Sequence, residues 1–299
     1  MTGQLPEGDE VFLDHIAHFV PDIAAATAAL QRCGFQTTPF SVQVAPSGKD
    51  GALEPTGTGN VTAMLKEGYL EVLCKTSDTP LSRELEAAIG RWPGVHLAAF
   101  SVAEPYEAHA RLEAEGFPMR PIVRLRRPVE TEDGIGEARF TVVRPEAGAL
   151  PEGRVQMLTH HTEREVWQPR WLAHPNGATA LLGLLIVSDE VTEAVARFQK
   201  FLLTAPQYAD FGPRLELPRG HVQISDARRA AGLLGEAPGL PWMAAYALLV
   251  DDLSRVETFL AAAGCESHAA GNALVTAFPA ALGSGFWAFV EDQSDVPWL

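Results

Sequence analysis

Residues 159–177, THHTEREVWQPRWLAHPNG, contain three of the nine histidines and two of the six tryptophans of this 299-residue chain. An imidazole titrates near neutral pH, so it can bind a metal, orient a substrate or carry a proton. His160 continues the strand pattern of GRVQML (153–158) and shares a strand face with Gln156, four residues earlier. We therefore predict His160 as a catalytic residue, whereas His161 points to the opposite face and is predicted to be structural.

The rest of this stretch is typical of a connection between two folded halves. HPNG is a turn sequence, and we expect His174 to cap that turn. Trp167 and Trp171 bury too much apolar area for a simple spacer. We predict that they pack the two halves of the chain together.

Arginines form a second group with chemical potential. Arg124, Arg126, Arg139 and Arg144 lie in stretches whose alternation predicts β-hairpins. Guanidinium groups that face a cavity would bind a carboxylate or an enolate by paired hydrogen bonds. We predict Arg124, Arg126 and Arg139 as substrate-binding residues; the alternative is a solvated strand face.

Composition excludes several classes of partner. A net charge of -15 disfavours nucleic acid and anionic membrane surfaces. No apolar run is long enough to span a bilayer, and the first residues lack the pattern of a secretory leader. Cys33, Cys74 and Cys265 are odd in number and far apart, which favours reduced thiols in a cytoplasmic protein. Phosphate-loop, dinucleotide-binding, CxxC, G-x-S-x-G and H-E-x-x-H motifs do not occur.

A fourfold repeat organises the elements that must position these residues. Each copy begins with an apolar strand, continues into an amphipathic helix and closes with a strand that a glycine opens. In the first copy Asp22 is suited to cap the helix and Gly34 to end it. Hairpin-like strands fill the space before each closing strand, so each unit reads as βαβββ. The copies begin at 13–35, 95–117, 181–202 and 243–265.

This pattern resembles the vicinal oxygen chelate superfamily, the glyoxalase and extradiol-dioxygenase fold. LDHIAHFVPDIAAATAALQRCGF (13–35) is the best local match, and residues 153–177 resemble the glyoxalase-like domain subgroup. The resemblance implies an α+β protein in which four βαβββ units form two glyoxalase-like domains, with curved mixed sheets around a cavity. The first domain would span 1–174, with units 10–75 and 93–160 and the linker, and the second, degenerate domain 175–299.

The resemblance also implies where a metal would bind. Equivalent positions on the opening and closing strands of paired units give His15, Glu71 and Gln156 as ligands, with Leu97 at the fourth position. Imidazole and carboxylate donors suit zinc, iron, manganese or nickel. A local shift in register would bring in His96, adjacent to Leu97, or His160 would reach over to the site. Without a metal, His15 is a hydrogen-bonded core histidine and Glu71 a buried carboxylate paired with an arginine.

The second domain lacks this set of donors. Its equivalent positions are Leu182, Gln223, Ala245 and Ala288, an apolar surface that cannot replace the water around a cation. We expect it to support the first domain or to form a homodimer contact.

These expectations favour an enzyme. A small oxygenated organic molecule would enter the first-domain cavity and react by lyase, isomerase or dioxygenase chemistry, with Glu71 or His160 moving the proton. The alternatives are a metal-free protein that sequesters small molecules and a degenerate scaffold.

Overall fold

The structure is a computed structural model in which residues 3–47 and 52–299 are described. Met1 and Thr2, at the start of the predicted first domain, and residues 48–51 lie outside this description. In the described ranges the strands form two eight-stranded sheets, one from residues 11–160 and one from residues 178–290. The α+β architecture with four βαβββ units is confirmed.

The first sheet combines units one and two. Its strand order is β2-β3-β4-β1-β5-β8-β7-β6. The strands are β1 (Val11–Phe19), β2 (Ser41–Ser47), β3 (Ala52–Met64), β4 (Tyr69–Lys75), β5 (Gly94–Val102), β6 (Val123–Thr131), β7 (Gly134–Val143) and β8 (Arg154–His160). Helices α1 (Ile23–Arg32), α2 (Pro80–Arg91) and α3 (Pro105–Ala114) accompany them.

The second sheet repeats the topology with units three and four. Its order is β10-β11-β12-β9-β13-β16-β15-β14. After α4 (Glu163–Val166), the elements are β9 (Ala178–Val187), α5 (Val191–Leu202), β10 (Gln207–Ala209), β11 (Gly212–Glu216), β12 (His221–Ser225), α6 (Ala227–Leu234), β13 (Trp242–Val250), α7 (Leu253–Ala262), β14 (Ser267–Ala270), β15 (Ala273–Ala277) and β16 (Phe286–Val290). Short 3-10 turns occupy Pro169–Trp171, Ala280–Leu282 and Gln293–Asp295.

Local sequence explains how the repeated helices begin and end. The Asp22 side chain accepts a hydrogen bond from the backbone N–H of Ala25, as predicted for an N-cap. Gly34 follows α1 with φ of +81°, a conformation that glycine adopts without strain. The third copy has no glycine at that position, and α5 ends instead with Leu203 in the left-handed region. Helices α2 and α6 connect units and were not part of the predicted pattern.

The two faces of the first sheet have different roles. Its convex face contributes Ile16, Val72 and Phe100 to an apolar core shared with Leu184 and Tyr246 of the second half. Its edge strands, β2 and β6, contact each other, so the sheet curls almost into a barrel. The concave face therefore surrounds an enclosed space, which is where the candidate site lies.

Candidate functional site

The barrel-like sheet encloses a cavity of about 870 Å³, a volume typical of small-molecule sites. Apolar side chains from the central and far strands line much of its wall, among them Leu97, Leu125, Phe140, Val142 and Leu158. His15, Glu71 and Gln156 also face it. The structure therefore brings the three predicted metal ligands into one cavity.

His15 and Glu71 come close at the cavity wall. His15 Nε2 and Glu71 Oε2 are 3.7 Å apart, and both side chains are almost fully buried. The other carboxylate oxygen, Oε1, accepts hydrogen bonds from Asn60 Nδ2 at 2.6 Å and Gln43 Nε2 at 3.2 Å. Glu71 is thus fixed through one oxygen and presents the other to His15.

Asp14 orients His15 from behind. The Nδ1–H of His15 donates to Asp14 Oδ1 at 2.7 Å, which leaves the Nε2 lone pair directed to Glu71. A register shift between Leu13 and His15 leaves Asp14 out of the pairing of β1 with β5. Such a bulge re-aims a side chain, so Asp14 lies on the same side as its neighbour.

Among the described residues, Asp14 connects His160 to His15 by hydrogen bonds. The Nε2–H of His160 donates to Asp14 Oδ2 at 3.0 Å, and the His160 ring packs between Phe140 and Trp167. Burial favours the neutral form of the Asp14 carboxyl, but the charges and hydrogen bonds of His160 and His15 hold its pKa well below the usual range. His160 does not line the cavity. Its geometry fits a positioning role better than the predicted proton transfer, which stays a prediction.

Strand register shows why the second unit offers weaker ligands. In β1 and β4, Ala17 lies opposite Glu71; in β5 and β8, Ala99 lies opposite Gln156. Glu71 of the first unit is therefore equivalent to Gln156 of the second. His15 and Leu97 are equivalent as well, because each lies two residues before the paired alanine of its strand. Within the described part of the chain, the Gln156 amide makes no side-chain hydrogen bond, and no three His, Cys, Asp or Glu residues are grouped so as to hold a metal.

His96 does not substitute for Leu97. It occupies the matching register shift on β5, and its Nε2–H donates to the carbonyl of Trp92 at 2.7 Å. It faces a second, smaller cavity. The alternative in which His96 joins the ligands is therefore not what the structure shows.

Tyr69 and Arg127 complete the wall near His15. The Tyr69 ring stacks on the imidazole of His15, with ring centroids 4.3 Å apart. Burial raises the pKa of Tyr69 well above its usual value, and the carboxylates of Asp14 and Glu71 raise it further. Burial lowers the pKa of Arg127, and the charges of Tyr69 and Glu71 act in the opposite direction and raise it. A neutral phenol and a guanidinium thus both face the cavity as donors.

The predicted substrate-binding arginines lie mostly outside the cavity. The side chain of Arg124 donates to the Tyr106 hydroxyl at 2.8 Å, on the exposed surface. Arg139 is more than half exposed and lies 3.8 Å from Glu137. Arg126 lines the cavity although it is exposed. Substrate binding by Arg124 and Arg139 stays a prediction for which the structure offers no cavity contact.

Five other arginines face the cavity instead: Arg120, Arg127, Arg144, Arg154 and Arg170. The alternation of β6, with Leu125, Arg127 and Val129 partly buried, places Arg127 inward and Arg124 outward. In the sequence, the alternation of Leu125 and Val129 with polar residues is the signal that places Arg127 on the inward face. Arg154 was missed because it is the first residue of β8, where the strand pattern gives little guidance.

The tryptophan-rich segment packs against the first half of the chain. Trp167 contacts the Tyr69 and His160 rings and forms a cluster with Met64, Ala138 and Val166. Trp171 lines the cavity. The contacts of both tryptophans thus differ from the predicted packing between halves.

The histidines flanking these tryptophans have structural partners. His174 Nε2 donates to the carbonyl of Met64 at 2.8 Å, and its Nδ1 accepts from the backbone N–H of Gln36 at 2.9 Å. His174 therefore bridges to the first half rather than only capping its turn. His161 hydrogen-bonds the Thr141 hydroxyl.

The concave face of the second sheet is filled. Ala245 and Ala288 belong to an apolar cluster with Trp242 and Trp298, and Leu182 packs against it. Gln223 is fully buried and donates to the carbonyl of Pro213. The positions equivalent to the predicted ligands are thus packed into an apolar cluster or hydrogen-bonded to the backbone.

Comparisons with known proteins agree with this architecture. The family model of the Glyoxalase-like domain matches residues 13–202. A search of curated proteins found no match. None of the described helices is long and apolar enough to cross a membrane.

Three solved structures share the fold at low sequence identity. A hypothetical protein from Staphylococcus aureus has a TM-score of 0.59 at 12% identity, covering 93% of this chain and 98% of its own. A mutant of 4-hydroxymandelate synthase from Streptomyces coelicolor has a TM-score of 0.55 at 14% sequence identity, and the match covers 97% of each chain. A Mn(II)-bound glyoxalase from Novosphingobium aromaticivorans has a TM-score of 0.51 at 15% sequence identity, and the match covers 95% of this chain and 82% of the glyoxalase chain. Since the family model spans more than half of the chain and the fold agrees, the protein belongs to the Glyoxalase-like domain family of the vicinal oxygen chelate superfamily.

Proposed function

We propose that the cavity of the first half is the active site of a metal-dependent enzyme that acts on a small oxygenated organic molecule. The observation that carries this proposal is the approach of His15 Nε2 to Glu71 Oε2, 3.7 Å apart in the cavity wall. The second polar atom of each side chain is already held by a buried partner, so these two atoms remain for a ligand. The reaction would be of the lyase, isomerase or dioxygenase type.

The donors fit a divalent cation held by three protein groups. His15 and Glu71 supply an imidazole and a carboxylate, and the Gln156 amide, which lacks a hydrogen-bond partner among the described residues, supplies a neutral oxygen. The Asp14 carboxylate behind His15 is the kind of partner that orients a ligating histidine. Zinc, iron, manganese and nickel suit such donors. When bound, the cation would polarise an oxygen of the substrate and stabilise negative charge on it.

The protein's own groups have separate tasks in this proposal. Glu71 has two alternative tasks, because Asn60 and Gln43 hold its Oε1 and leave only its Oε2: this oxygen would bind the cation or, when released from it, accept a proton from the substrate. Tyr69 stays protonated and can donate a hydrogen bond to the bound molecule. Phe140, Leu125 and Leu158 exclude water from the rest of the cavity.

Metal analysis of the purified protein tests the proposal. We expect about one equivalent of zinc, iron, manganese or nickel, lost in His15→Ala and retained in His268→Ala, an exposed histidine of the second half. A wild-type protein that contains no such metal and takes none up would contradict the metal-dependent mechanism.

A second function is favoured by two other observations. Leu97 occupies the fourth ligand position, and several guanidinium groups line the same wall. A metal-free protein that sequesters small molecules would have this composition. Stoichiometric binding of an organic ligand by metal-free wild-type protein, undiminished in His15→Ala, would favour it. The cytoplasmic location and the homodimer stay predictions from the sequence.

A further inference from the structure

Three arginines meet at one end of the cavity. Arg120 follows α3, Arg144 follows β7 and Arg154 opens β8. All three line both the main cavity and a neighbouring cavity of about 470 Å³. The cluster therefore lies where the two spaces adjoin, with access from both.

The cluster carries more positive than negative charge. Glu84 is shared: Arg120 Nη2 lies 2.7 Å from its Oε1, and Arg154 Nη2 lies 3.7 Å from its Oε2. Glu146 pairs with Arg120 at 2.9 Å but is half exposed. Among the described residues, the Arg144 side chain makes no hydrogen bond or ion pair. Two carboxylates, Glu84 and the half-exposed Glu146, thus face three guanidinium groups at this end of the cavity.

This arrangement is unfavourable without an added anion. Burial lowers the pKa of Arg144, and the charge of Arg120 adds to the effect. An unpaired buried charge costs free energy, and binding of an anion removes that cost.

We infer that Arg144 and Arg154 form a subsite for the carboxylate of an organic acid whose apolar body occupies the main cavity. The planar guanidinium fork matches a carboxylate in two parallel hydrogen bonds. Leu97, Leu125 and Val142 line the same cavity and suit an apolar body. The inference rests on the proposed function in so far as this acid is the substrate presented to His15 and Glu71.

Calorimetric titration tests the subsite with benzoate, its neutral analogue benzamide, and phenyl phosphate. We expect wild-type protein, as purified and after chelation, to bind benzoate at least about 10-fold more tightly than benzamide, since charge-assisted hydrogen bonds are the strong ones. Arg144→Gln should weaken benzoate binding by about 10-fold or more and leave benzamide unchanged. Arg144→Lys keeps the charge but not the planar guanidinium fork, so its affinity for benzoate should lie between those of wild type and Arg144→Gln.

Arg229→Gln is the matched control, because it removes an exposed arginine of the second half that pairs with Asp226, and it should bind benzoate as wild type does. Equal binding of benzoate by wild type and Arg144→Gln would overturn the inference. Tighter binding of phenyl phosphate than of benzoate would overturn the assignment of the anion as a carboxylate.

Thermal unfolding without ligand separates a binding role from a structural one. Because Arg144 has repulsive neighbours and no hydrogen-bond or ion-pair partner among the described residues, Arg144→Gln should raise Tm by about 2 °C. A lower Tm together with unchanged benzoate binding would make Arg144 structural. His15→Ala should still bind benzoate, so loss of metal in that variant bears on the proposed function and not on this subsite.

Discussion

His15 and Leu97 occupy equivalent positions of two repeated units, yet only one of them can bind a metal. Glu71 and Gln156 are also equivalent positions, and there the first unit has a carboxylate where the second unit has a neutral amide. The first unit therefore contributes the stronger donors and the second unit the weaker ones. Substitutions in the second unit should therefore raise the metal affinity of the proposed site without disturbing the donors of the first unit.

Gln156→Glu is the most direct test of this asymmetry. A carboxylate adds one negative charge to a site that holds only one ligand charge, so affinity for Mn²⁺ or Zn²⁺ should rise by about 10-fold or more. Competition titration against a chromophoric chelator measures this change. Gln207→Glu adds the same charge on an exposed edge strand of the second half and should leave the affinity unchanged. Equal affinities in both variants would remove Gln156 from the proposed ligand set.

The family resemblance implied His15 and Glu71, and alignment of the repeats then mapped Glu71 onto Gln156; all three residues line the cavity. Asp14 could not be predicted this way. Strict alternation places it on the face opposite His15, and only the register shift in β1 brings it behind the imidazole. Arg144 lies just beyond the end of β7, where strand alternation no longer indicates direction.

At the scale of elements, the predicted units omit the connecting helices. Helix α2 had a recognisable start in the sequence, since Thr79 and Ser82 form a reciprocal capping box with Pro80 between them. The repeat pattern does not predict this helix, because it lies between two repeated units. This helix carries Glu84, so the omission also hid the carboxylate that Arg120 and Arg154 share.

The segment after β8 is an element of the site rather than a linker alone. Trp167→Ala would leave a void beside Tyr69 and His160, so we expect a loss of about 3 kcal/mol in the free energy of unfolding. Urea denaturation followed by far-UV circular dichroism measures it. Tyr208→Ala, where the ring is 79% exposed, should change stability by less than about 0.5 kcal/mol. A loss no larger than that of Tyr208→Ala would show that Trp167 supports little of the wall.

At the scale of the molecule, duplication has produced one open cavity and one filled cavity. The first sheet closes because β2 contacts β6, and its interior holds charged and polar groups. In the second sheet Trp242 and Trp298 fill the concave face, and Trp298 Nε1–H donates to His221 Nε2 at 3.0 Å. Sequence predicted the absence of metal ligands there. The filling by Trp298 could not be foreseen, because it depends on how the C-terminal segment folds back.

The halves are joined by buried polar contacts that acid should disrupt. His18 of β1 donates through Nδ1 to the carbonyl of Leu282 and accepts at Nε2 from the Tyr246 hydroxyl, both in the second half. Burial lowers the pKa of His18 to about 4, and burial likewise lowers that of His221 to about 4. Both histidines are therefore neutral in the folded protein at pH 7.

The unfolded chain takes up these protons first, because its histidines titrate near their usual pKa of about 6.5. Stability due to each neutral histidine is thus complete above that pH and is lost as pH falls toward 4, by about 3 kcal/mol per residue. Urea denaturation at pH 7.0 and pH 4.5 measures the loss. His18→Gln should lose less stability between these two pH values than wild type, whereas His268→Gln, an exposed position, should lose as much. An equal loss in His18→Gln and wild type would mean that the contact between the halves is insensitive to acid.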